Sequence, residues 1–387
     1  MTVMKILVLS LGHLQNDPRI MRQIHALKME HDLTCIGLTS PGLDDIEFIE
    51  LPKETKLAER VKLGILLLLH RYETVSHHLP ISLHALKKDL KNRSFDLIIA
   101  NDIDTFGFAF DIKKSARIIL DAHEYAPREF ESSWKWRLLF RGYRDHICRT
   151  YLLRADIFIT VCQGIADEYA KNFGATPIVI TNASDYKDLS PSPVNPEHIR
   201  IIHHGMAAPQ RQIERMIEMM DLVDERYTLD LMLTVPSGLE PYYERLRQMA
   251  GARKNIRIVD PVPMRDIVNR INVYDIGLYI LEPVSFNERY ALPNKFFEFI
   301  QARLALAIGP SPEMVRVVNQ YNLGRIARDF SKKEMAKELN ELTTEEIEFF
   351  KSQSHRYARE LSSEKNINKL KNIIIELNSD IIDRNVQ

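Results

Sequence analysis

Short runs of apolar residues alternate along the chain with longer segments in which apolar residues recur every three or four positions. The short runs predict buried strands, and the longer period predicts amphipathic helices such as residues 19–29. In the first half the predicted strands are residues 6–9, 33–36, 97–100, 118–120, 157–161 and 178–180. This alternation is typical of a parallel sheet with helices on both faces. The first half is therefore predicted to be Rossmann-like.

The pattern is interrupted around residues 184–198, where Asp, Ser, Pro and Asn are abundant, and then begins again. We interpret the interruption as a linker between two domains. The predicted strands of the second half are residues 199–202, 229–233, 256–259, 276–279 and 305–308. We expect an α/β protein with two Rossmann-like domains, residues 1–186 and 198–365, that are joined by residues 187–197 and face each other across a cleft.

The composition narrows the class of protein. Of the 387 residues, 45% are hydrophobic and 27% are charged, and the formal net charge of −1 gives no sign of a nucleic-acid partner. Cys35, Cys148 and Cys162 lie too far apart for a zinc site or a disulfide framework, which fits a reducing cytoplasm. The longest aliphatic run, residues 63–69, is much shorter than the roughly 20 residues that span a bilayer. We therefore expect a cytoplasmic protein that does not cross the membrane.

Candidate site residues lie in the loops that follow the predicted strands. Ligands of open α/β sheets bind outside the carboxyl ends of the strands, so these loops are the places for chemistry. Each residue type found there also serves as a helix cap or a salt-bridge partner, and that alternative stays open at each position. The loop residues are Gly12, Asp17, Arg19, Asp102, His123, Glu124 and Gly205.

The segment 291–300 joins a loop ending in Pro293 to an amphipathic helix. Free N–H groups and the helix dipole favour an anion at such a start, and Lys295 adds a positive charge. Glu298 is placed to accept hydrogen bonds from the vicinal hydroxyls of a sugar. Pro-Asn-Lys is also ordinary capping chemistry. The segment therefore predicts either a nucleotide-sugar site or a simple helix start.

Several short motifs occur in a fixed order along the chain: Asn16-Asp17-Pro18-Arg19, Ala100-Asn101-Asp102, Asp121-Ala122-His123-Glu124, Arg154-Ala155-Asp156, His204-Gly205 with Arg211, and Leu292-Pro293-Asn294-Lys295-Phe296-Phe297-Glu298. The ordered set resembles the GT-B glycosyltransferases, specifically retaining glycosyltransferase family 4, in its Leu-Pro-Asn-Lys-Phe-Phe-Glu subgroup. The resemblance implies an N-terminal acceptor-binding domain and a C-terminal domain for the nucleotide-sugar. It also implies that the last helix, residues 366–387, returns to the N-terminal domain.

The resemblance assigns roles on the donor side. Glu298 matches the second carboxylate of a Glu-x7-Glu pattern, which binds the donor ribose. Tyr290 stands at the first position, and Asn287 or Glu288 is the candidate substitute for the missing carboxylate. Arg211 and Lys295 would clamp the diphosphate beside Gly205, and Gly12 and Asn294 complete the predicted donor-binding set. The resemblance implies neither a metal ion nor another cofactor.

The resemblance also assigns roles to residues of the first half. His123 matches a histidine that contacts the donor sugar and steadies the developing positive charge. Glu124 and Asp102 are the other predicted catalytic residues, on the acceptor side. Asp17 and Arg19 are predicted to bind the acceptor. The reaction implied is a front-face transfer in which the leaving phosphate helps to deprotonate the acceptor.

A basic stretch from Trp134 to Arg154 holds both tryptophans of the chain. Together with the aliphatic run at residues 62–69, it is typical either of a helix on an anionic membrane surface or of a buried helix with snorkelling arginines. A lipid-linked acceptor would favour membrane contact at the inner face.

The sequence thus predicts a retaining glycosyltransferase that moves a hexose-type sugar from a nucleoside diphosphate sugar to a carbohydrate or lipid-linked acceptor, in surface polysaccharide or glycoconjugate synthesis. Two alternatives remain at this point. One is a sugar-nucleotide 2-epimerase of similar fold. The other is a non-catalytic GT-B protein that binds a transferase partner.

Overall fold

A computed structural model describes residues 3–52, 57–76, 78 and 80–386. The chain forms two compact units. Unit 1 consists of Met1–Thr181, Ser285–Glu288 and Asn366–Gln387, and unit 2 consists of Asn182–Val284 and Arg289–Lys365. The first unit ends at Thr181, whereas the predicted domain extends to residue 186. Residues 285–288 are grouped with unit 1, which the sequence pattern did not indicate.

Unit 1 contains a parallel sheet of seven strands in the order β3-β2-β1-β4-β5-β6-β7. Its strands are β1 Lys5–Leu9, β2 Asp32–Gly37, β3 Glu47–Glu50, β4 Leu97–Asn101, β5 Arg117–Ala122, β6 Ile157–Thr160 and β7 Ile178–Val179. The predicted strands are present, while β3 was missed because its sequence Glu-Phe-Ile-Glu has only two apolar residues and pairs at the sheet edge. Strand order reverses between β1 and β4. The loops after these two strands therefore open at the point where α/β sheets bind ligands.

The helices of unit 1 that precede unit 2 are α1 Pro18–Leu27, α2 Leu57–Leu68, α3 Tyr72–Ser76, α4 Ile81–Asn92, α5 Ile103–Ile112, α6 Trp134–Leu139, α7 Arg141–Tyr151 and α8 Gln163–Phe173. The basic stretch from Trp134 is therefore not one helix, since it divides at Phe140 into α6 and α7. Arg144 and Trp136 are buried, whereas Trp134 is exposed. The stretch is therefore partly buried, as the second interpretation predicted, and partly exposed.

Unit 2 contains a parallel sheet of six strands in the order β10-β9-β8-β11-β12-β13. Its strands are β8 Ile199–Met206, β9 Tyr227–Thr234, β10 Ile256–Val259, β11 Ile276–Tyr279, β12 Ala305–Ile308 and β13 Gly324–Ile326. The remaining helices of the chain are α9 Ile213–Met219, α10 Glu240–Gly251, α11 Ile267–Ile271, α12 Phe286–Tyr290, α13 Asn294–Gln301, α14 Pro312–Tyr321, α15 Lys332–Asn340, α16 Thr344–Tyr357 and α17 Ser363–Val386. The predicted second Rossmann-like half is confirmed.

The last helix contributes to the core of unit 1. Leu370, Ile373 and Ile374 of α17 are buried in the same apolar cluster as Ile6 and Val8 of β1. Apolar residues three and four apart face one side of a helix, which explains why this segment can add a helical layer to the sheet. The predicted return of the last helix to the N-terminal domain is confirmed.

The predicted linker belongs to unit 2. It runs without helix or strand from residue 181 to residue 195, and Arg303 holds part of it. The fully buried guanidinium of Arg303 donates to the carbonyl oxygens of Lys187 at 2.5 Å and Leu189 at 3.1 Å. Backbone carbonyls without regular partners are thereby satisfied inside the protein.

Within the described residues, no helix combines the length and apolar composition required to cross a bilayer.

Candidate functional site

His123 follows β5 directly and lies among polar groups from three loops of unit 1. Its backbone N–H donates to Oδ1 of Asp102 at 3.1 Å, and its ring Nδ1 lies 3.5 Å from Oδ2 of the same side chain. The ring Nε2 lies 3.3 Å from Oδ1 of Asn101. Asp17 is 3.9 Å from Nδ1 and also caps α1 by accepting from two backbone N–H groups. The structure therefore brings the predicted residues His123, Asp102 and Asp17 together at the carboxyl end of the sheet.

Asp102 has an unusual backbone conformation, with φ of 62° and ψ of 155°. This region is almost restricted to glycine, and other residues keep it only where the surroundings impose it. Here the backbone N–H of Asp102 donates to the backbone carbonyl of Asp121 at 2.8 Å, and the backbone carbonyl of Asp102 accepts from the Thr105 hydroxyl at 2.9 Å. The strain aims the half-exposed carboxylate toward His123. Such strain is concentrated at functional positions, which supports Asp102 as a site residue.

Arg19 does not reach the surface as an acceptor-binding residue would. It is only 6% exposed, and its Nε and Nη2 donate to the two carboxylate oxygens of Asp121 at 2.9 and 2.6 Å. Its Nη1 donates to the carbonyl of Ile180 at 2.6 Å. The predicted acceptor contact of Arg19 is therefore replaced by a structural role. The pair lies next to the site, because Asp121 Oδ2 is 3.9 Å from Nε2 of His123.

Two carboxylates, those of Asp104 and Glu129, contact the buried Arg144 next to this site. Nη2 of Arg144 lies 2.8 Å from Asp104 and 3.0 Å from Glu129, while its Nε and Nη1 are buried without hydrogen-bond partners. Glu124 is open to solvent on one side, yet burial of its carboxyl and then repulsion from Glu129 and Asp102 raise its pKa to about 7. Burial also raises the pKa of Glu129 to about 7. Two carboxyl groups in this part of unit 1 therefore have a pKa of about 7.

Asn287 lies in this part of unit 1, although it follows β11 in sequence. Its side-chain oxygen accepts from the backbone N–H of Tyr125 at 2.8 Å, and its Nδ2 donates to Glu124 Oε2 at 3.1 Å and to the carbonyl of Tyr125 at 3.3 Å. Phe286, one residue earlier, packs against the Tyr125 ring at a centroid distance of 5.2 Å. The amide of Asn287 is thus used to hold Glu124. This geometry favours a positioning role over the predicted direct contact with the donor.

In unit 2, the end of β8 meets the start of α13. Gly205 has φ of 135°, and a Cβ added there would lie 2.7 Å from Nζ of Lys295. Pro293 at the N-cap offers no side-chain cap to the first turn of α13, so backbone N–H groups remain for a ligand. Burial lowers the pKa of Lys295 to about 7, and the positive charge of Arg211 adds to this effect. The ammonium thus lacks a full counter-charge in a place suited to an anion.

Glu298 lies one turn further along α13 and is nearly buried. Its Oε2 is 3.3 Å from Nε2 of His204, although the two groups do not have hydrogen-bond geometry. Burial, followed by the charge of Lys295, lowers the pKa of His204 to about 3, so this ring is neutral. The ring packs edge-on against Phe299. A carboxylate accepts hydrogen bonds at both of its oxygens and can therefore bind the vicinal hydroxyls of a sugar.

Three predicted donor residues have less defined surroundings. Arg211 ends a short 3₁₀ helix, and α9 begins two residues later at Ile213. Gln212 between them has φ of 47°, which interrupts the helix. Asn294 is the first residue of α13 and is partly exposed. Gly12 is exposed in the loop after β1 of unit 1, where its N–H donates to Ser10 Oγ at 3.0 Å.

The sequence interpretation missed Asp121, Glu129 and Arg144 as parts of the site. Asp121 was noticed only within a motif, because an apolar strand that ends in Asp looks the same whether the carboxylate is buried or exposed. Arg144 belonged to a basic stretch for which a surface helix and a buried helix both stayed open. Its position in phase with Tyr143 and Ile147 was the available signal for the buried face of α7.

Comparisons with known proteins concern the family and the fold. The family model described as Glycosyltransferase Family 4 matches residues 20–188, and no curated protein has a significant match to the sequence. The fold is similar to that of Anabaena Alr3699/HepE in complex with UDP, at 13% identity over 96% of this chain and 100% of that chain, with a TM-score of 0.74. It is also similar to sucrose-phosphate synthase (tll1590) from Thermosynechococcus elongatus, at 13% identity over 97% and 100%, with a TM-score of 0.71. A third similar structure is the lipopolysaccharide outer core galactosyltransferase WaaB in its apo form, at 12% identity over 96% and 99%, with a TM-score of 0.64.

These matches define the class of fold. The resemblance to glycosyltransferase family 4 is confirmed over residues 20–188, and the chain has the GT-B glycosyltransferase fold.

Proposed function

We propose that this protein is a retaining glycosyltransferase that uses a nucleoside diphosphate sugar, with uridine as the base, and needs no metal ion. The observation that carries the proposal is the position of Lys295 at the start of α13, against the glycine backbone of Gly205 and one turn before Glu298. The spacing provides cation, N–H donors and carboxylate in the order in which a sugar nucleotide presents diphosphate and ribose. UDP in the similar Anabaena structure supports the choice of base.

The chemistry on the donor side follows from charge. Departure of the sugar leaves a diphosphate, so the site needs positively charged groups and N–H donors close to the phosphates, where negative charge accumulates. Lys295 and Arg211 repel each other before the ligand arrives, as the pKa of Lys295 shows. A diphosphate removes this repulsion and restores the proton on Lys295. We propose that these two cations make a divalent ion unnecessary, and the addition of EDTA should leave turnover unchanged.

The chemistry on the other side uses the His123 cluster. Asp102 and Asn101 fix the imidazole, so the ring is oriented before any substrate binds. Glu124, with a pKa of about 7, is able to take or give a proton at neutral pH, and Asn287 holds it in place. We propose that Glu124 faces the acceptor hydroxyl. The acceptor would be a carbohydrate or a lipid-linked molecule, and the reaction would belong to surface polysaccharide or glycoconjugate synthesis on the cytoplasmic side.

Calorimetry with UDP and a panel of UDP-sugars tests the donor site. Glu298→Gln is expected to weaken UDP binding roughly ten- to a hundredfold, because a hydrogen bond to a charged acceptor is replaced by one to a neutral amide. Glu313→Gln is the matched control, since Glu313 is equally buried in unit 2 but its carboxylate pairs with Arg316. Equal affinity of both variants for UDP would refute the ribose assignment.

Nucleotide release with and without candidate acceptors then tests the reaction. A transferase releases UDP in an acceptor-dependent manner. A 2-epimerase would convert the donor without any acceptor, and a non-catalytic binding protein would bind UDP without turnover. Failure to bind any nucleoside diphosphate would overturn the proposal.

A glycine pair provides a second test. Gly205→Ala is expected to weaken UDP binding about tenfold, because the new methyl group displaces the Lys295 ammonium and φ of 135° is strained for alanine. Gly238→Ala is the control, because Gly238 also has positive φ, at 85°, but nothing lies within 4 Å of the added Cβ. If the two variants lose the same affinity, backbone strain and not the Lys295 contact explains the effect.

A further inference from the structure

Helix α2 of unit 1 carries apolar residues on two faces. Leu63 and Leu67 point inward and are buried. A second set repeats at intervals of four, four and three residues, which places it in one stripe along the helix. The members of this stripe are between 52% and 74% exposed: Leu57, Val61, Ile65 and Leu68. Packing among the described residues explains the first face and leaves the second open.

Basic residues flank the open stripe. At 100° per residue, Arg60 lies on one side of the stripe and Lys62 on the other, and both are exposed. Glu59, the acidic residue of this helix, lies behind Lys62 and away from the stripe. A solvated helix would carry polar residues where this one carries aliphatic side chains. An apolar stripe with a basic residue on each side is typical of a helix that lies in a lipid interface.

Helix α6 also exposes apolar side chains. It contacts α2, and its residues Trp134 and Leu138, one turn apart, are 63% and 57% exposed. Lys135 and Arg137 lie between them in sequence and are also exposed. Trp136 is buried on the opposite side and anchors the helix. A tryptophan exposed beside basic residues is typical of the boundary between headgroups and acyl chains.

We propose that this surface, which we call the α2–α6 surface (Leu57, Val61, Ile65 and Leu68 with Trp134 and Leu138), binds the face of an anionic lipid bilayer. The apolar side chains would enter the acyl boundary, and Arg60, Lys62, Lys135 and Arg137 would pair with lipid phosphates. A second copy of the chain is the less favourable occupant, because it would bring an equally basic surface against this one. The proposal does not depend on the transferase reaction.

Flotation with vesicles tests the proposal on the full chain. The protein is expected to float with vesicles of phosphatidylcholine and phosphatidylglycerol in equal parts, and to remain unbound with phosphatidylcholine alone or in high salt. Trp134 is a built-in probe, since it is the exposed one of two tryptophans. Its emission should shift to the blue on binding, and Trp134→Phe should abolish that shift. No flotation with the anionic vesicles would overturn the proposal.

Variants distinguish vesicle binding by the α2–α6 surface from non-specific adsorption of the protein. Ile65→Glu is expected to weaken vesicle binding about tenfold or more, and Lys62→Glu about fivefold. Met264→Glu is the control, because Met264 of unit 2 is as exposed as Ile65. Both exposed positions should tolerate the change without loss of the thermal transition. The proposal fails if Ile65→Glu floats like the control, or if sedimentation shows a lipid-free dimer that Ile65→Glu dissociates.

Discussion

Replacement of Lys295 by methionine is expected to weaken binding of UDP about a hundredfold, the largest loss for any single substitution in the site. Removal of one partner from a desolvated charge pair costs several kcal/mol, of which about 2.7 kcal/mol corresponds to this factor. Methionine keeps the length and apolar stem of lysine, so the change is mainly one of charge. Calorimetric titration with UDP measures the effect.

The affinity of the unaltered protein should also depend on pH in a particular direction. Because the pKa of Lys295 in the free protein is about 7, its ammonium is increasingly lost as the pH rises above that value. A bound diphosphate raises the pKa again, so binding must be accompanied by proton uptake. The affinity for UDP should therefore fall by up to about tenfold per pH unit above pH 7, until the pKa of the complex is reached. In Lys295→Met this dependence should disappear.

The pH dependence of stability provides an independent check that the pKa of Lys295 is lowered in the folded protein. A lysine whose folded pKa lies below its unfolded pKa of 10.5 opposes folding most at low pH, and the penalty diminishes as the pH rises from about 7 toward 10.5. Lys295→Met should therefore stabilise the protein more at about pH 6 than at about pH 9. Lys332→Met is the control, because Lys332 forms a half-exposed pair with Glu218. A pH-independent affinity for UDP in the unaltered protein would contradict the assignment.

Asp121→Ala is expected to lower the free energy of unfolding of unit 1 by about 3–5 kcal/mol. Asp121 is 1% exposed and Arg19 is 6% exposed, so the substitution leaves a guanidinium buried without its counter-charge. Urea unfolding followed by circular dichroism measures the loss. His123 loses the carboxylate beneath it in the same variant, so turnover should also fall.

A surface ion pair is the matched control for this effect. Glu47→Ala breaks the pair with Arg93, in which both side chains are at least a third exposed, and should cost less than about 1 kcal/mol. The double replacement Arg19→Met with Asp121→Leu should recover most of the stability, because apolar residues of similar volume remove both charges. A small effect of Asp121→Ala, comparable to that of Glu47→Ala, would contradict the structural role assigned to the pair.

Loss of stability at low pH should also involve Asp121. Burial alone would raise the pKa of Asp121, but the charge of Arg19 outweighs it and lowers the pKa below the ordinary value. A carboxylate with a depressed pKa stabilises the fold above its unfolded pKa and loses that contribution as the pH falls through the folded value. Asp121→Ala should accordingly flatten the stability profile of unit 1 in acid.

Much of the architecture was readable from local pattern. The period of two or of three to four residues predicted most strands of both sheets and the restart after the linker. The periods of strands and helices depend on burial and hydrogen bonding within a few neighbouring residues, so the sequence by itself determined them. The helix start at Asn294, with Lys295 and Glu298 on it, was also determined in this way. The GT-B fold and the return of the last helix were predicted from the family resemblance that the ordered motifs carry, and not from local pattern.

Only the tertiary structure decided what several site residues do. Arg19 and Asp121 are about a hundred positions apart, and they meet because α1 packs beneath the carboxyl end of β5. Asn287 holds Glu124 from a segment that follows β11. Asp102 keeps its strained backbone through hydrogen bonds with Asp121 of β5 and Thr105 of α5. Polar side chains have the same local signature whether they bind a ligand or each other. Sheet order and register bring distant residues together, and these are set by the packing of the whole unit and not by any local pattern.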